Sequence, residues 1–196
     1  MSKFFLIFLK QKNKKLKRLL LTHGHADHAG NAQYLKQKYN CEVHAHPHEL
    51  PFLHGKAKLN NRDYTGINPF GRLIQFGDWM FGQPLCKEAA PLTECENYAI
   101  IPLHGHTPGS VGILHKETKS LFLGDALLNC TAIFMKPRPG LQIPYHYFSE
   151  DQEMAIKSLA NLEHVDFENA FFGHGDPLIG NAKDKILSFL KAQQII

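Results

Sequence analysis

The sequence predicts a mixed α/β (α+β) protein, and two patterns along the chain support that prediction. Short apolar runs alternate with amphipathic segments, from KRLLLTH at residues 17–23 to NAKDKILSFLKA at 181–192. The runs SVGILHK and SLFLGD are joined by the turn ETKS, which is typical of a β-hairpin. Strands connected partly by helices and partly by hairpins predict sheets of mixed direction.

The composition is that of one soluble globular domain. The chain has 196 residues, of which 43% are hydrophobic and 20% charged. Its net charge of +4 is too small an excess to predict a nucleic-acid partner. Four cysteines without CxxC spacing predict free thiols in a reducing, cytoplasmic compartment.

The N-terminal segment, residues 1–13, differs from the rest of the chain. Its apolar run at 4–9 is too short to span a bilayer, and most of the positive charge follows that run rather than preceding it, unlike in a signal peptide. We therefore expect a cytoplasmic protein with neither a membrane nor a nucleic-acid partner. The folded domain is expected to run from residue 14 to residue 196.

The individual elements follow from periodicity. KRLLLTH and CEVHAHP predict buried strands on either side of a helix in HAGNAQYLKQKY, where Ala32, Leu35 and Tyr39 share one face. Residues 50–97 are rich in Gly, Pro and Asn and predict loops with short strands. In SEDQEMAIKSLANL, Ser149 and Gln152 form a capping-box pattern that predicts the start of a helix.

Four of the predicted strands end in turns that carry histidine or aspartate beside glycine. These turns are HGHADH (23–28), HGHTPGS (104–110), GDALL (124–128) and FGHGD (172–176). Strand ends allow polar side chains to converge on a rigid scaffold. Imidazole and carboxylate groups are ligands of divalent metals, and seven candidates suit two ions that share a carboxylate.

These four motifs resemble, in order, the metal-binding motifs of the metallo-β-lactamase fold superfamily, whose first motif is HxHxDH. The resemblance covers residues 14–191 and implies a four-layer αββα sandwich with metals at one edge between the sheets. It implies that the first ion is bound by His23, His25 and His106. The second ion would be bound by Asp27, His28 and His174, and Asp125 would lie between the two ions.

The same resemblance implies a hydrolase that uses two divalent ions, zinc by default, although the ligands also admit iron or manganese. Water between two dications is acidified, so hydroxide exists near neutral pH, and the ions stabilise the negative charge that develops on the substrate. Asp27 and Asp125 are the predicted catalytic residues. Asp27 would orient the nucleophile and accept its proton.

The expected substrate is a small-molecule ester, thioester or lactone. The motifs resemble those of glyoxalase II-like hydrolases, although FGHGD is followed by too few residues for the helical domain that binds glutathione. Leu128 stands where homoserine-lactone hydrolases often carry a tyrosine, and neither an RNA-gripping arm nor a flavodoxin domain is visible.

The start of the sequence keeps an alternative open. In the resembling family, two or more strands and a D-x-G turn precede HxHxDH, whereas only 21 residues precede THGHADH here. One alternative is an N-terminally truncated fragment that is inactive or poorly folded and at most binds metal. The other is a chain whose missing strands a partner supplies, for example in a homodimer.

Two further sets of histidines are left outside the predicted ligands. His44, His46 and His48 alternate in VHAHPHE, a pattern that suits either metal binding or an ordinary strand. We expect an ordinary strand, since the corresponding strand is peripheral in the resembling family. His104 is expected either to contact a ligand or to lie exposed.

Overall fold

The computed structural model describes residues 14–57, 85–131 and 138–196, which form two β-sheets flanked by helices. The predicted segment 1–13 and most of the predicted loops between 50 and 97 lie outside these residues. The strands are β1 (Arg18–Leu20), β2 (Glu42–Ala45), β3 (Ala90–Pro91), β4 (Tyr98–Pro102), β5 (Val111–His115), β6 (Ser120–Gly124) and β7 (Asn169–Phe172). The α-helices are α1 (Ala26–Ala29), α2 (Ala32–Tyr39), α3 (Leu50–Leu53), α4 (Gln152–Ser158) and α5 (Ala182–Ala192).

The first sheet has the order β1-β2-β3, and both of its strand pairs are parallel. A parallel pair needs a long crossover, and helices α1 and α2 supply it between β1 and β2. Ala32 and Leu35 on α2 are buried, as the predicted helix face requires, and α2 packs against β2. Both β1 and the crossover helices therefore place the residues of HGHADH at one edge of this sheet.

The second sheet has the order β4-β5-β6-β7. The predicted hairpin joins β5 and β6, which are antiparallel, and Leu114 pairs with Leu121. Strand β7 returns parallel to β6 after a long crossover that contains α4. The carboxyl ends of β6 and β7 therefore lie at the same edge of the sheet.

The main hydrophobic core lies between the second sheet and the C-terminal helices. Leu121 and Leu123 of β6 and Leu127 after it are fully buried there. Ile186 and Leu190 of α5, spaced four residues apart, are buried in the same cluster. Helix α2 covers the first sheet and α5 covers the second, so the layers run helix, sheet, sheet, helix. The predicted α/β class with an αββα sandwich is confirmed.

The two sheets meet where the metal motifs begin. The amide of Val111, at the start of β5, donates a hydrogen bond to the carbonyl of Thr22 just after β1, at 3.0 Å. This contact fixes the edge of the first sheet to the second. Among the helices in the described ranges, none is long and apolar enough to cross a membrane.

One local prediction is wrong. The capping residue of α4 is Asp151, whose side chain accepts a hydrogen bond from the amide of Met154 at 2.8 Å, rather than Ser149. The amide of Asp151 donates to the carbonyl of Gly105 at 2.9 Å. Because that bond ties the chain to the turn after β4, the helix cannot begin as early as the capping-box pattern predicts.

The core supports the metal motifs from behind, and we expect Leu127→Ala to test this. The side chain of Leu127 is fully buried two residues after Asp125, so its truncation should cost about 2–5 kcal/mol of unfolding free energy. Ile179→Ala is the matched control, since Ile179 is 65% exposed and should cost less than about 0.5 kcal/mol. Urea unfolding followed by circular dichroism measures both; equal losses would contradict this packing.

Candidate metal centre

The seven predicted ligands come from four separate turns, and the structure brings all of them to one edge of the two sheets. Their side chains form two groups, each with ligand atoms within 4.8 Å of one another. The first ligand group consists of His23, His25 and His106. The second ligand group consists of Asp27, His28, Asp125 and His174. The three histidines of the first group, and Asp27, His28 and His174 of the second, are the sets that the resemblance implies for the two ions; Asp125, which it implies between the ions, falls in the second group.

The first ligand group is a buried cluster of three imidazoles. Their ring centroids lie 4.6 to 4.9 Å apart, and all three side chains are buried. Nδ1 of His23 lies 3.2 Å from the hydroxyl of Thr22, whereas its Nε2 is buried without a hydrogen-bond partner among the described residues. A buried polar atom of this kind is costly to leave unsatisfied, and a metal ion would satisfy it.

The protonation of His23 agrees with a ligand role. Burial, together with the nearby His28, holds the pKa of His23 well below its usual range. The ring is therefore neutral at physiological pH, and a neutral imidazole is the form that binds metal.

The second ligand group alternates histidines and carboxylates. Nε2 of His174 lies 3.1 Å from Oδ2 of Asp27 and 3.3 Å from Oδ2 of Asp125. Nε2 of His28 lies 3.3 Å from Oδ2 of Asp27 and 3.3 Å from Oδ1 of Asp125. Four donor atoms thus face a common centre from α1 and from the ends of β6 and β7.

The electrostatics of the second ligand group favour cations. Burial lowers the pKa of His28, but hydrogen bonds with Asp125 and Asp27 outweigh it and raise that pKa to about 9. The same two carboxylates raise the pKa of His174 to about 10. Although burial opposes ionisation, these histidines hold the carboxyl pKa of Asp27 and Asp125 well below its usual range. A bound dication would replace the protons that these two histidines hold beside the carboxylates.

Asp125 connects the two groups. Its Oδ2 lies 3.6 Å from Nε2 of His106 in the first ligand group, while its Oδ1 faces His28 in the second. The preceding Gly124 has a positive φ of 55°, and a Cβ there would lie 2.5 Å from the hydroxyl of Thr22. Glycine at that position therefore lets β6 end against β1, which places the Asp125 carboxylate between the groups.

Gly173 leaves room for that carboxylate from the other side. A Cβ on Gly173 would lie 1.9 Å from Oδ1 of Asp125 and 2.6 Å from Cε1 of His28. The amide of Gly173 donates to the carbonyl of Gly124 at 2.7 Å, so the backbone cannot easily retreat. The turn after β7 is thus shaped around the Asp125 side chain.

Two residues that support the site were missed by the sequence reasoning. Glu49 is fully buried, and its Oε1 accepts hydrogen bonds from the hydroxyl of Thr107 and the amide of Gly109, both at 2.7 Å. Ser149 is also buried, with its hydroxyl 3.4 Å from Nδ1 of His106. Both contacts fix the turn that carries His106, and neither leaves a local pattern in the sequence because they join residues more than 40 positions apart.

Glu49 is a second buried carboxylate, and its ionisation is opposed by its surroundings. Burial raises its pKa from the ordinary value of 4.5, while hydrogen bonds from Thr107, Gly109 and Gly24 act in the opposite direction. Gly24 lies between two ligands of the first group, so Glu49 contacts both turns that supply this group.

Gly173→Ala should disrupt the second ligand group without unfolding the protein. The new methyl would displace Asp125 and His28, so we expect at least a tenfold loss of Zn²⁺ affinity, measured by competition with a chromophoric chelator. Gly180→Ala is the control, because Gly180 also lies in a turn, with a φ of 66° and open space around it. The Gly180→Ala variant should lose stability but keep its Zn²⁺ affinity. A Gly173→Ala protein with unchanged Zn²⁺ affinity would contradict the geometry.

Glu49→Ala should destabilise the protein by about 1–3 kcal/mol, because the donors that Glu49 satisfies would be left buried. Glu49→Gln should cost less, since its carbonyl oxygen still accepts. Exposed Glu88, which pairs with Lys36, gives the control Glu88→Ala, expected within about 0.5 kcal/mol of the wild type. Urea unfolding measures all three, and equal losses for Glu49→Ala and Glu88→Ala would refute the role of Glu49.

The raised pKa of Glu49 predicts the direction in which the unfolding free energy changes with pH. Above 4.5 the folded state holds this proton more tightly than the unfolded state, so stability falls as pH rises through the raised pKa. The unfolding free energy of the wild type relative to Glu49→Gln should therefore decrease over that interval. A difference that is constant with pH would contradict the assignment.

Comparisons with known proteins agree with this arrangement. The family model of the metallo-beta-lactamase superfamily matches residues 2–174. The probable metallo-hydrolase YflN of Bacillus subtilis is 27% identical over 181 residues, which cover 85% of this chain and 67% of that protein. Hydroxyacylglutathione hydrolase GloC of Haemophilus influenzae is 36% identical over 112 residues, 57% of this chain and 50% of that protein.

The fold has solved counterparts as well. The crystal structure of the BLEG-1 B3 metallo-beta-lactamase superposes with a TM-score of 0.63 at 22% identity, and the match covers 96% of this chain and 83% of that one. The predicted resemblance is thereby confirmed, with metallo-hydrolases and glyoxalase II-like enzymes among the relatives. The chain belongs to the metallo-beta-lactamase superfamily.

Proposed function

We propose that this protein is a hydrolase that uses two divalent metal ions to cleave a small-molecule ester, thioester or lactone. The observation that carries the proposal is the position of Asp125 between the ligand groups. Its Oδ2 lies 3.6 Å from His106 of the first group and 3.3 Å from His174 of the second, while its Oδ1 lies 3.3 Å from His28 of the second. A carboxylate with two oxygens can bind one ion with each, which is the arrangement that a two-ion hydrolytic site needs.

The donor set indicates which ions the site would hold. The first ligand group offers three imidazoles, and the second offers two imidazoles with carboxylates; there is no thiolate in either. Nitrogen and oxygen donors with a position left for water suit catalytic zinc, and they also accept iron or manganese. We take zinc as the resident ion and leave the other two as outcomes of metal analysis.

When bound, the two ions would supply an acidified water and polarise the carbonyl group of the substrate. The residues of the chain provide the positioning. Asp27 has a side chain that is 57% exposed, compared with 10% for Asp125, so Asp27 is the carboxylate to which we assign the contact with solvent and substrate. It can accept a hydrogen bond from the attacking water, orient it towards the carbonyl carbon and take up its proton.

The relatives support the substrate class. GloC is named as a hydroxyacylglutathione hydrolase and YflN as a probable metallo-hydrolase, so hydrolysis is common to both names. In an ester, thioester or lactone, the attacked atom is a carbonyl carbon, and the oxygen that becomes negative can be stabilised by cations at the site. We therefore place the substrate among these carbonyl compounds.

Asp125→Asn should abolish turnover while leaving the protein folded. Mutating an outer partner of a metal ligand already costs about 10–100-fold, so losing the ligand shared by both ions should cost more than about 100-fold in kcat/KM. The assay uses p-nitrophenyl acetate, S-lactoylglutathione and a γ-lactone, and follows whichever the wild type hydrolyses fastest.

Asp166→Asn is the matched control, because Asp166 is an exposed carboxylate paired with Lys119 and should leave turnover unchanged. Removing metal with dipicolinic acid should abolish hydrolysis, and adding Zn²⁺ should restore it. Hydrolysis that survives both chelation and Asp125→Asn, or a wild type loaded with metal that cleaves none of the three compounds, would contradict the proposal.

A further inference from the structure

We propose that His46, His48 and His104 form an additional metal site, separate from the seven predicted ligands, that binds a divalent transition ion such as Zn²⁺ or Ni²⁺. We call these three residues the histidine triad. His46 and His48 follow β2, and His104 follows β4, so the triad joins the two sheets. The sequence separates His104 from the other two by more than 50 positions, and only the fold brings it to them.

The spacing of two of the three ring pairs is that of a metal site. The centroid of the His46 ring lies 4.9 Å from that of His48 and 5.0 Å from that of His104. Imidazole nitrogens about 2.1 Å from a tetrahedral ion place ring centroids about 5 Å apart. The first ligand group has the same spacing, 4.6 to 4.9 Å. Two of the three distances in the triad thus already match that group.

The third distance, 6.4 Å between His48 and His104, needs a small adjustment. The side chain that must move is His48, which is exposed and whose Nδ1 has only a 3.4 Å contact with the carbonyl of Pro108. For the triad to bind one ion, this exposed ring would have to rotate towards His104 and give up that contact. Water would take the fourth position around the ion.

The hydrogen bonds of His46 and His104 leave a ring nitrogen on each for an ion, although the His104 ring also has a hydrogen bond with the backbone of Ser110. The amide of His48 donates to Nδ1 of His46 at 3.3 Å, which leaves Nε2 of His46 as a donor for metal. Nδ1 of His104 is buried and has no hydrogen-bond partner among the described residues. A buried nitrogen that lacks a partner, on a ring whose centroid lies 5.0 Å from that of His46, is independent evidence for a ligand at this place.

An ion in the triad would act on the neighbouring centre through the backbone. Gly105, with a φ of 123°, separates His104 from His106. Binding at His104 would therefore fix the same turn that Glu49 fixes by accepting hydrogen bonds from Thr107 and Gly109. The triad has three neutral ligands and no carboxylate, so we expect weaker affinity than at the centre around Asp125.

The experiment compares metal content between variants of the full chain. Each protein is equilibrated with excess Zn²⁺, desalted and analysed by elemental mass spectrometry. We expect His46→Gln/His48→Gln to hold one ion fewer per chain than the wild type, and His48→Gln alone to bind this ion at least tenfold more weakly. His44→Gln is the matched control, because His44 lies in β2 and contacts Glu42 and Pro91 instead of the triad.

The result does not depend on the proposed function, because it is a difference between variants. In an Asp125→Asn background the total metal content should fall, yet the loss of one ion in the triad variants should persist. Folding of each variant is checked by circular dichroism. An equal metal content in the wild type, His44→Gln and the folded double variant would overturn the proposal, and so would an equal loss in His44→Gln.

Discussion

Asp125 is a buried carboxylate held among histidines from three separate parts of the chain, and the surrounding structure is arranged to make that position tolerable. Removing a carboxylate from water costs several kcal/mol unless partners replace the lost hydration. His28 and His174 contact its oxygens at 3.3 Å, and His106 lies at 3.6 Å. A core of leucines behind Asp125 fixes the backbone, while glycines at 124 and 173 let two other segments approach it closely.

Glu49 applies the same principle at a neighbouring place. It is a fully buried carboxylate outside the set of predicted ligands, and it accepts hydrogen bonds from the turn that carries His106. Such bonds hold a ligand in one orientation, which matters because a metal site needs its donors fixed to a fraction of an ångström. The two buried acids therefore have different roles. Asp125 connects the two ligand groups, and Glu49 fixes the turn that carries His106.

Much of this arrangement could be predicted from the sequence because it is encoded locally. Each sheet strand that carries a ligand is an apolar run that ends in a glycine turn, and the ligands follow directly, as in β6 with Gly124 and Asp125. Helices α2 and α5 were predictable from the spacing of their buried residues.

The remaining features depend on contacts between distant residues. The polar context HPHE is typical of a surface residue, so the sequence does not indicate that Glu49 is buried. Its burial follows from the contact with Thr107, 58 positions later. Ser149 and Asp151 both suit a helix cap, and the bond from Asp151 to Gly105 decides between them. The alternating histidines after β2 gave no hint of His104, because the two segments meet only once the sheets pack.

The most direct test is a crystal structure of the metal-loaded protein with anomalous data collected at the zinc absorption edge. Two ions bound through a shared carboxylate predict two anomalous peaks about 3.5–4 Å apart, one beside His23, His25 and His106 and the other beside Asp27, His28 and His174. Asp125 should contact both peaks. A single peak at this edge of the sheets, or two peaks with Asp125 bound to neither, would contradict the dinuclear site.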